Sequence, residues 1–171
     1  MVKTPLWRAC RWLVLTLSTL CGVATVQAAT DNAQGVAEVI ITLSLENQSD
    51  LIFGDIGTSN APGTVILSPD GSRITTGGTF INSNVSGGAA VFDVSGLPNA
   101  VYAISLPNSV VLTGASGNSM VVDNFTSLPA NTGLTDPGGE QNLFVGGTLN
   151  VDSNQAVGSY SGQMSVTVVY N

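Results

Sequence analysis

The chain of 171 residues carries four basic residues, eleven acidic ones and no histidine, for a net charge of −7. That balance argues against nucleic acid and anionic membrane surfaces, which are bound through basic groups. The missing histidine removes a Ser-His-Asp triad, a Cys-His pair, the usual zinc sites and a switch near neutral pH.

The N-terminus reads as an address. MVKTPLWRACRW holds Lys3, Arg8 and Arg11 and no acid, and an apolar run, LVLTLSTLCGVATV, follows over 13–26. Val26 and Ala28 then stand where a signal peptidase reads small residues, so residues 1–28 are expected to be a secretory signal peptide cleaved after Ala28. The run is too short and too rich in Thr, Ser and Gly for a good membrane span. A lipoprotein signal at Cys21 would want a small residue before it, and Leu20 is there. Cleavage removes both cysteines, both tryptophans and three of the four basic residues. Residues 29–171 keep Arg73 against eleven acids, a net charge of −10. The expected product is an exported protein of the periplasm, cell surface or exterior, with no integral membrane segment and a core sufficient without disulfides. Arg73 is then the sole tryptic site, so trypsin should give at most two large pieces.

Residues 29–171 are expected to form one domain. Its apolar residues recur with period two, and turn residues interrupt them every eight to twelve positions, the mark of an all-β protein. The first run, VAEVIITLSLEN over 36–47, puts Val39, Ile41, Leu43 and Leu45 on one face. LIFGDI follows over 51–56, with Gly54 marking a bulge or close backbone approach. Residues 64–68 and 72–76 read as a hairpin about SPDG, where Pro69 presets φ, Asp70 bonds locally and Gly71 takes φ > 0. Further strands are expected at 89–95, at 101–107 with Tyr102, Ile104 and Leu106 on one side, and at 109–113. Another is expected at 119–126, with Val121 or Val122 and Phe125 in the core. Residues 128–141 read as a long polar loop and 143–151 as a strand. In the last segment, GSYSGQMSVTVVYN, one face carries Tyr160, Gly162, Met164, Val166, Val168 and Tyr170. The expected architecture is an immunoglobulin-like, two-sheet antiparallel β-sandwich of about nine or ten short strands.

Candidate chemistry is sparse. Asp70 reads as a turn residue, and Asp93 in FDVSG as a residue of a solvated face, because Val94 breaks the D-[ST]-G loop of aspartic proteases. Asp136, Glu140 and Asp152 offer oxygens for Ca²⁺ without a recognised spacing. Asn47, Asn84 and Asn124 match the N-glycosylation pattern, which is common by chance. Arg73 is expected to pair with Asp70 or Asp55 at the surface. No catalytic residue, metal or cofactor is expected. An acidic hydrolase would need two convergent carboxylates.

The terminal strand carries a resemblance. Gly158 is fourteenth from the end, Tyr170 is penultimate, and alternating apolar residues lie between them. This resembles the C-terminal signature of chaperone–usher pilus subunits, in which an incomplete sandwich is completed by a strand from a periplasmic chaperone and later from a neighbouring subunit. ITLSLEN, LIFGDI, GTVILSPDGSRITTGG, PNAVYAISLP, FVGGTLNV and GSYSGQMSVTVVYN, in that order, look like the bacterial family filed as domain of unknown function four-four-zero-two. LIFG and the closing G-S-Y also resemble the spore-coat-protein-U domain of archaic pili, although that domain carries cysteines and residues 29–171 have none. The resemblance implies a non-catalytic structural or adhesive surface protein, a fimbrial subunit with identical or related subunits and a chaperone and usher as partners. Gly158, Tyr160, Gly162, Met164, Val166, Val168 and Tyr170 would form its pairing strand. Val39, Ile41, Leu43 and Leu45 would belong either to a donated strand or to the first strand of a self-complete fold. The alternative is a monomeric binding module for a glycan or envelope partner, acting through loop 128–141.

Overall fold

The structure is a computed structural model that describes residues 30–171; the expected signal peptide lies outside them. The chain divides into two compact units, Met1–Glu38 and Val39–Asn171. In the first unit, residues 30–38 are exposed and carry no secondary structure. The second holds all the strands. It contains no helix, and no helix among the described residues is long and apolar enough to cross a membrane.

Nine strands have four residues or more: β1 (Ser44–Ser49), β3 (Gly63–Leu67), β4 (Arg73–Gly77), β6 (Ala90–Ser95), β7 (Val101–Ser105), β8 (Ser109–Gly114), β9 (Ser119–Leu128), β11 (Glu140–Val151) and β13 (Thr167–Tyr170). Four are shorter: β2 (Ile56–Gly57), β5 (Phe80–Ile81), β10 (Thr132–Leu134) and β12 (Tyr160–Ser161). Every pairing is antiparallel. The largest sheet runs β1-β6-β11-β9-β8-β12, with the β3–β4 hairpin also on β11; β10-β7-β13 and β2-β5 form separate sheets.

The twelve-residue β11 organises the large sheet. On one side Glu140–Val145 pairs with β6 and Gly147–Val151 with β3, while β9 lies along the other side. The change of partner falls at Gly146. A Cβ there would run into the Leu67 carbonyl oxygen, so only glycine admits the close approach. Opposite, β9 takes a bulge at Asn124–Phe125, with Asn124 at φ 46°. A bulge re-aims the side chain after it, and Phe125 packs against both hydrophobic clusters.

The first cluster comprises Phe53, Val65, Leu67, Val122, Leu149 and Val151. The second comprises Ala90, Phe92, Val94, Tyr102, Leu143 and Val145, with Leu43, Leu45, Ile104, Met164, Val166, Val168 and Tyr170 packed on it. The side chains of β6 and β11 thus meet those of the β7–β13 pair. Of the two valines proposed for β9's core, Val122 is buried and Val121 is exposed.

The SPDG turn forms as its residues require. The Ser68 amide donates to Ser72 O and Gly71 N donates to Ser68 O, both at 2.9 Å, between β3 and β4. The Asp70 carboxylate accepts from Ser72 N at 2.9 Å, and the Ser72 side chain, with that backbone bond second, holds its pKa below the ordinary carboxylate value.

Two sequence expectations need correction here. Loop 128–141 is partly a strand: β10 pairs with β7, and β11 begins at Glu140. The polar Gln141 belongs inside, because its Oε1 accepts from Tyr102 Oη at 2.8 Å and from Leu134 N at 2.9 Å. Arg73 makes no pair with Asp70 or Asp55. Its Nη1 donates to Phe53 O and its Nη2 to Val85 O, each at 2.8 Å, so a part-buried fork joins two loops to the hairpin.

Tyr102 is fully buried, and desolvation raises its phenol pKa above the ordinary tyrosine value. The folded state therefore holds the proton more tightly than the unfolded chain. The stability this contributes is complete below the unfolded pKa and is lost as pH rises through the folded one. Tyr102→Phe should cost about 1 kcal/mol at neutral pH through the lost hydrogen bond to Gln141 and should flatten the alkaline loss. Urea unfolding of both proteins at neutral and alkaline pH tests this; parallel pH profiles would refute it.

Candidate strand-pairing site

The terminal segment keeps its predicted face but not its predicted continuity. From Tyr160 to Tyr170 the even-numbered residues Tyr160, Met164, Val166, Val168 and Tyr170 are half-buried, while the odd-numbered ones are exposed. Side chains of Met164, Val166, Val168 and Tyr170 rest on the second cluster. The backbone, however, is not one strand. Tyr160 and Ser161 pair with Gly114 and Thr113 of β8, whereas Thr167–Tyr170 pairs with β7 from Ser105 to Tyr102. Residues 162–166 between them join no ladder. Gly158 lies in the bend before β12, and Gly162 is exposed beside the Val111 carbonyl.

Both ends of the segment are fastened. Gln155 Nε2 donates to Tyr160 Oη at 2.9 Å, and that hydroxyl donates to Ala156 O at 2.6 Å, closing the preceding turn. At the other end Leu97 N donates to Tyr170 Oη at 2.6 Å, and Asn171 N donates to Val101 O at 3.2 Å. These bonds, with four ladder positions on β7, keep the chain end from fraying.

Beside the unpaired stretch opens a cleft of about 1220 Å³. Its floor is the apolar face of the large sheet, including Phe92, Val110, Leu112, Met120, Val122 and Leu149. One rim is residues 50–58 and the other residues 155–164. The first rim is also poorly paired: between Asp50 and Asp55 only Ile52 makes a bridge, to Gly88. The charged groups lining the cleft are Asp50, Asp55 and no cation. Two poorly paired backbone edges therefore flank a strip of the sheet's apolar face on which Leu112 and Met120 are half-buried. An added β-strand could satisfy both edges and cover that strip.

The first run is also revised. β1 covers only Ser44–Ser49, where Ser44↔Ser95, Leu45↔Val94 and Glu46↔Asp93 pair with β6. Leu43 and Leu45 are half-buried on the second cluster. Val39 and Ile41 lie outside any strand and are 95% and 55% exposed; Val36 and Ile40 are exposed with them. The alternation over 36–43 therefore describes a strand-competent segment that has no ladder partner within the described chain.

The three acids weighed for Ca²⁺ do not converge. Asp136 and Glu140 stand at the start of β11 and Asp152 follows its end; twelve strand residues span roughly 35–40 Å. The Asp136 carboxylate caps its own turn, accepting from Gly138 N at 2.8 Å and Glu140 N at 2.9 Å. Among the described residues no three His, Cys, Asp or Glu side chains group closely enough to hold a metal ion.

Sequence reasoning missed the cleft. Periodicity reports the face a residue presents, not the absence of a neighbouring strand. The available signals were Gly54 and the turn-rich SNQAVGS, which mark both rims as segments that leave the ladders.

Among protein families, the model described as "Domain of unknown function (DUF4402)" matches residues 43–170. No curated protein and no solved structure matches the chain.

Proposed function

The chain belongs to that family of unknown function, and we propose that it is an exported, non-catalytic structural or adhesive subunit of a surface polymer, similar to a fimbrial subunit. In this reading the signal peptide delivers residues 29–171 to the periplasm. There they form an immunoglobulin-like two-sheet sandwich that is one strand short, and a chaperone protects it before assembly. The carrying observation is the open cleft, with residues 162–166, which join no ladder, on one rim and residues 50–55, bridged to a neighbour only at Ile52, on the other. The composition supports it: residues 29–171 lack His, Cys, Lys and Trp. The closing strand also contains none of the Lys or Pro that blunts edges not meant for pairing.

The test is the assembly state of residues 29–171 recovered from a periplasm, by light scattering and negative-stain microscopy. Fibres, or material that stays soluble only with a chaperone, are expected. A compact monomer, stable alone at high concentration, would refute the reading.

A further inference from the structure

We propose that the outer face of the large sheet around Phe144 is a docking site for a segment of another protein that carries a basic side chain on each side of an apolar one. Leu143, Val145 and Leu149 of β11 turn into the core, and Phe144 turns to the opposite face. The cleft, which Leu149 lines, lies on the core side. The proposal therefore goes beyond the subunit reading and does not depend on what fills the cleft.

The floor of the site is an apolar row. Val91 and Leu128 are the direct partners of Phe144 on β6 and β9, so the three side chains share one face of the sheet. Leu128 is 57% exposed. With Ala89 and the turn at Pro69 they line a hollow of about 360 Å³. None of the three belongs to either hydrophobic cluster. Two residues along the strands in either direction this face is polar, with Asn142, Asp93 and Thr126. An apolar hollow rimmed by polar residues, outside the core that holds the fold, marks an interaction site.

The surrounding charges select the occupant. Asp93 lies two residues beyond Val91 and directly opposite Glu46 on β1. Asp70 lines the hollow at its other end. Its turn approaches β11 at Gly146, two residues beyond Phe144, where a Cβ would meet Pro69 N. The apolar row thus lies between two acidic ends about 13 Å apart, four residues of strand. Like charges directly opposite on a ladder destabilise a sheet. Residues 29–171 have no basic side chain to place beside Glu46 and Asp93, because Arg73 is their only one and it donates to Phe53 O and Val85 O. A partner's cation would relieve that repulsion. For the same reason the partner is not a second copy of this chain, which has no free basic side chain to offer. A neutral glycan would leave the acids uncompensated.

An extended peptide puts its first, third and fifth residues on one face over about 13 Å. The probe is therefore the end-blocked pentapeptide Arg-Ser-Leu-Ser-Arg, fluorescently labelled and titrated with residues 29–171 purified from a periplasm. Its anisotropy should rise on binding, and added salt should weaken the binding. The peptides Glu-Ser-Leu-Ser-Glu and Arg-Ser-Ser-Ser-Arg should bind less well. Glu46→Gln combined with Asp93→Asn should weaken binding about fivefold and raise the urea midpoint of the free protein, because a repulsion is removed. Leu128→Ser changes an exposed position and should weaken binding about threefold with the midpoint unchanged. Asp50→Asn combined with Asp55→Asn removes two charges at the cleft instead and should leave affinity as it was. Equal weakening by both charge pairs would reduce the effect to net charge and overturn the proposal. Binding unaffected by the Leu128 and Asp93 variants, no binding at all, or a neutral oligosaccharide displacing the peptide would overturn it as well. The subunit reading, tested by assembly state, stands or falls separately.

Discussion

Val168→Asp should abolish periplasmic accumulation of folded protein, while Val169→Asp, one residue away, should behave like the parent. Val168 is half-buried on the second cluster and pairs with Ile104 across the β7–β13 ladder. Val169 pairs with Ala103 but is 58% exposed on the opposite face. The substitution at 168 removes apolar packing and forces a carboxylate against the side chains of Tyr102 and Ile104 with no cation available. Those losses together should cost about 3 kcal/mol or more. Typical domains hold about 5–15 kcal/mol, so the remaining margin would be small, and smaller still if the cleft leaves the isolated domain incomplete. At 169 the change should stay within about 0.5 kcal/mol. Val166→Asp should resemble 168, because Val166 packs on the same cluster although its backbone joins no ladder. Urea midpoints and periplasmic yield of the three variants decide this. Equal midpoints for 168 and 169 would show that the apolar face of the closing strand does not stabilise the domain.

That contrast marks what the sequence could reveal. Face is a local property: alternation in SYSGQMSVTVVY separates the half-buried side from the exposed side at every position but Gly162, which is exposed. Neighbours are not local. Nothing in those residues says that pairing moves from β8 to β7, or that residues 162–166 between them stay unpaired. The same limit governs VAEVIITLSLEN. Its second half finds β6 and its first half finds no partner, although both halves alternate alike. The SPDG hairpin was legible because Pro69, Asp70 and Gly71 encode their turn through their own backbone preferences. Gln141 and Thr135 misled for the opposite reason. Both are polar and both lie in a region that composition marks as loop. Yet Thr135 is buried with its Oγ1 donating to Leu97 O at 2.5 Å and accepting from Ala100 N at 2.9 Å. A polar side chain that completes a buried bond reads as solvent-exposed until its partner, dozens of residues away, is known.

Arg73→Met should produce the second large effect, and it should reach the cleft. The guanidinium donates one amino group to Phe53 O and the other to Val85 O. Gly54 and Gly87 leave room for it: a Cβ at Gly54 would crowd Nη1, and one at Gly87 would crowd Cδ. Methionine keeps much of the stem and loses both donors. Two charge-assisted bonds, discounted for partial exposure, should cost about 2–4 kcal/mol. Arg73→Lys should rescue little, because a single ammonium cannot span two carbonyls as a planar fork does. The change also takes the net charge of residues 29–171 from −10 to −11, but self-repulsion predicts a different pattern. Added salt and Lys would each restore stability if repulsion were the cause, and neither would if the fork were. Because the side chain is committed inside, trypsin should leave the folded parent intact and cut after Arg73 only on unfolding; rapid cleavage under native conditions would contradict the fork. The consequence for assembly comes from where the bonds lead. Phe53 belongs to the segment 50–58 that forms one rim of the cleft, so Arg73 ties that rim to the β3–β4 hairpin. On the subunit reading proposed above, a rim tied in this way would meet an incoming strand with less ordering still to do, and preorganisation of that kind lowers the cost of binding. Arg73→Met, measured at a temperature where it remains folded, should therefore assemble less than the parent. Arg73→Met that is destabilised but assembles at the parental rate would show that the fork holds the fold without shaping the cleft.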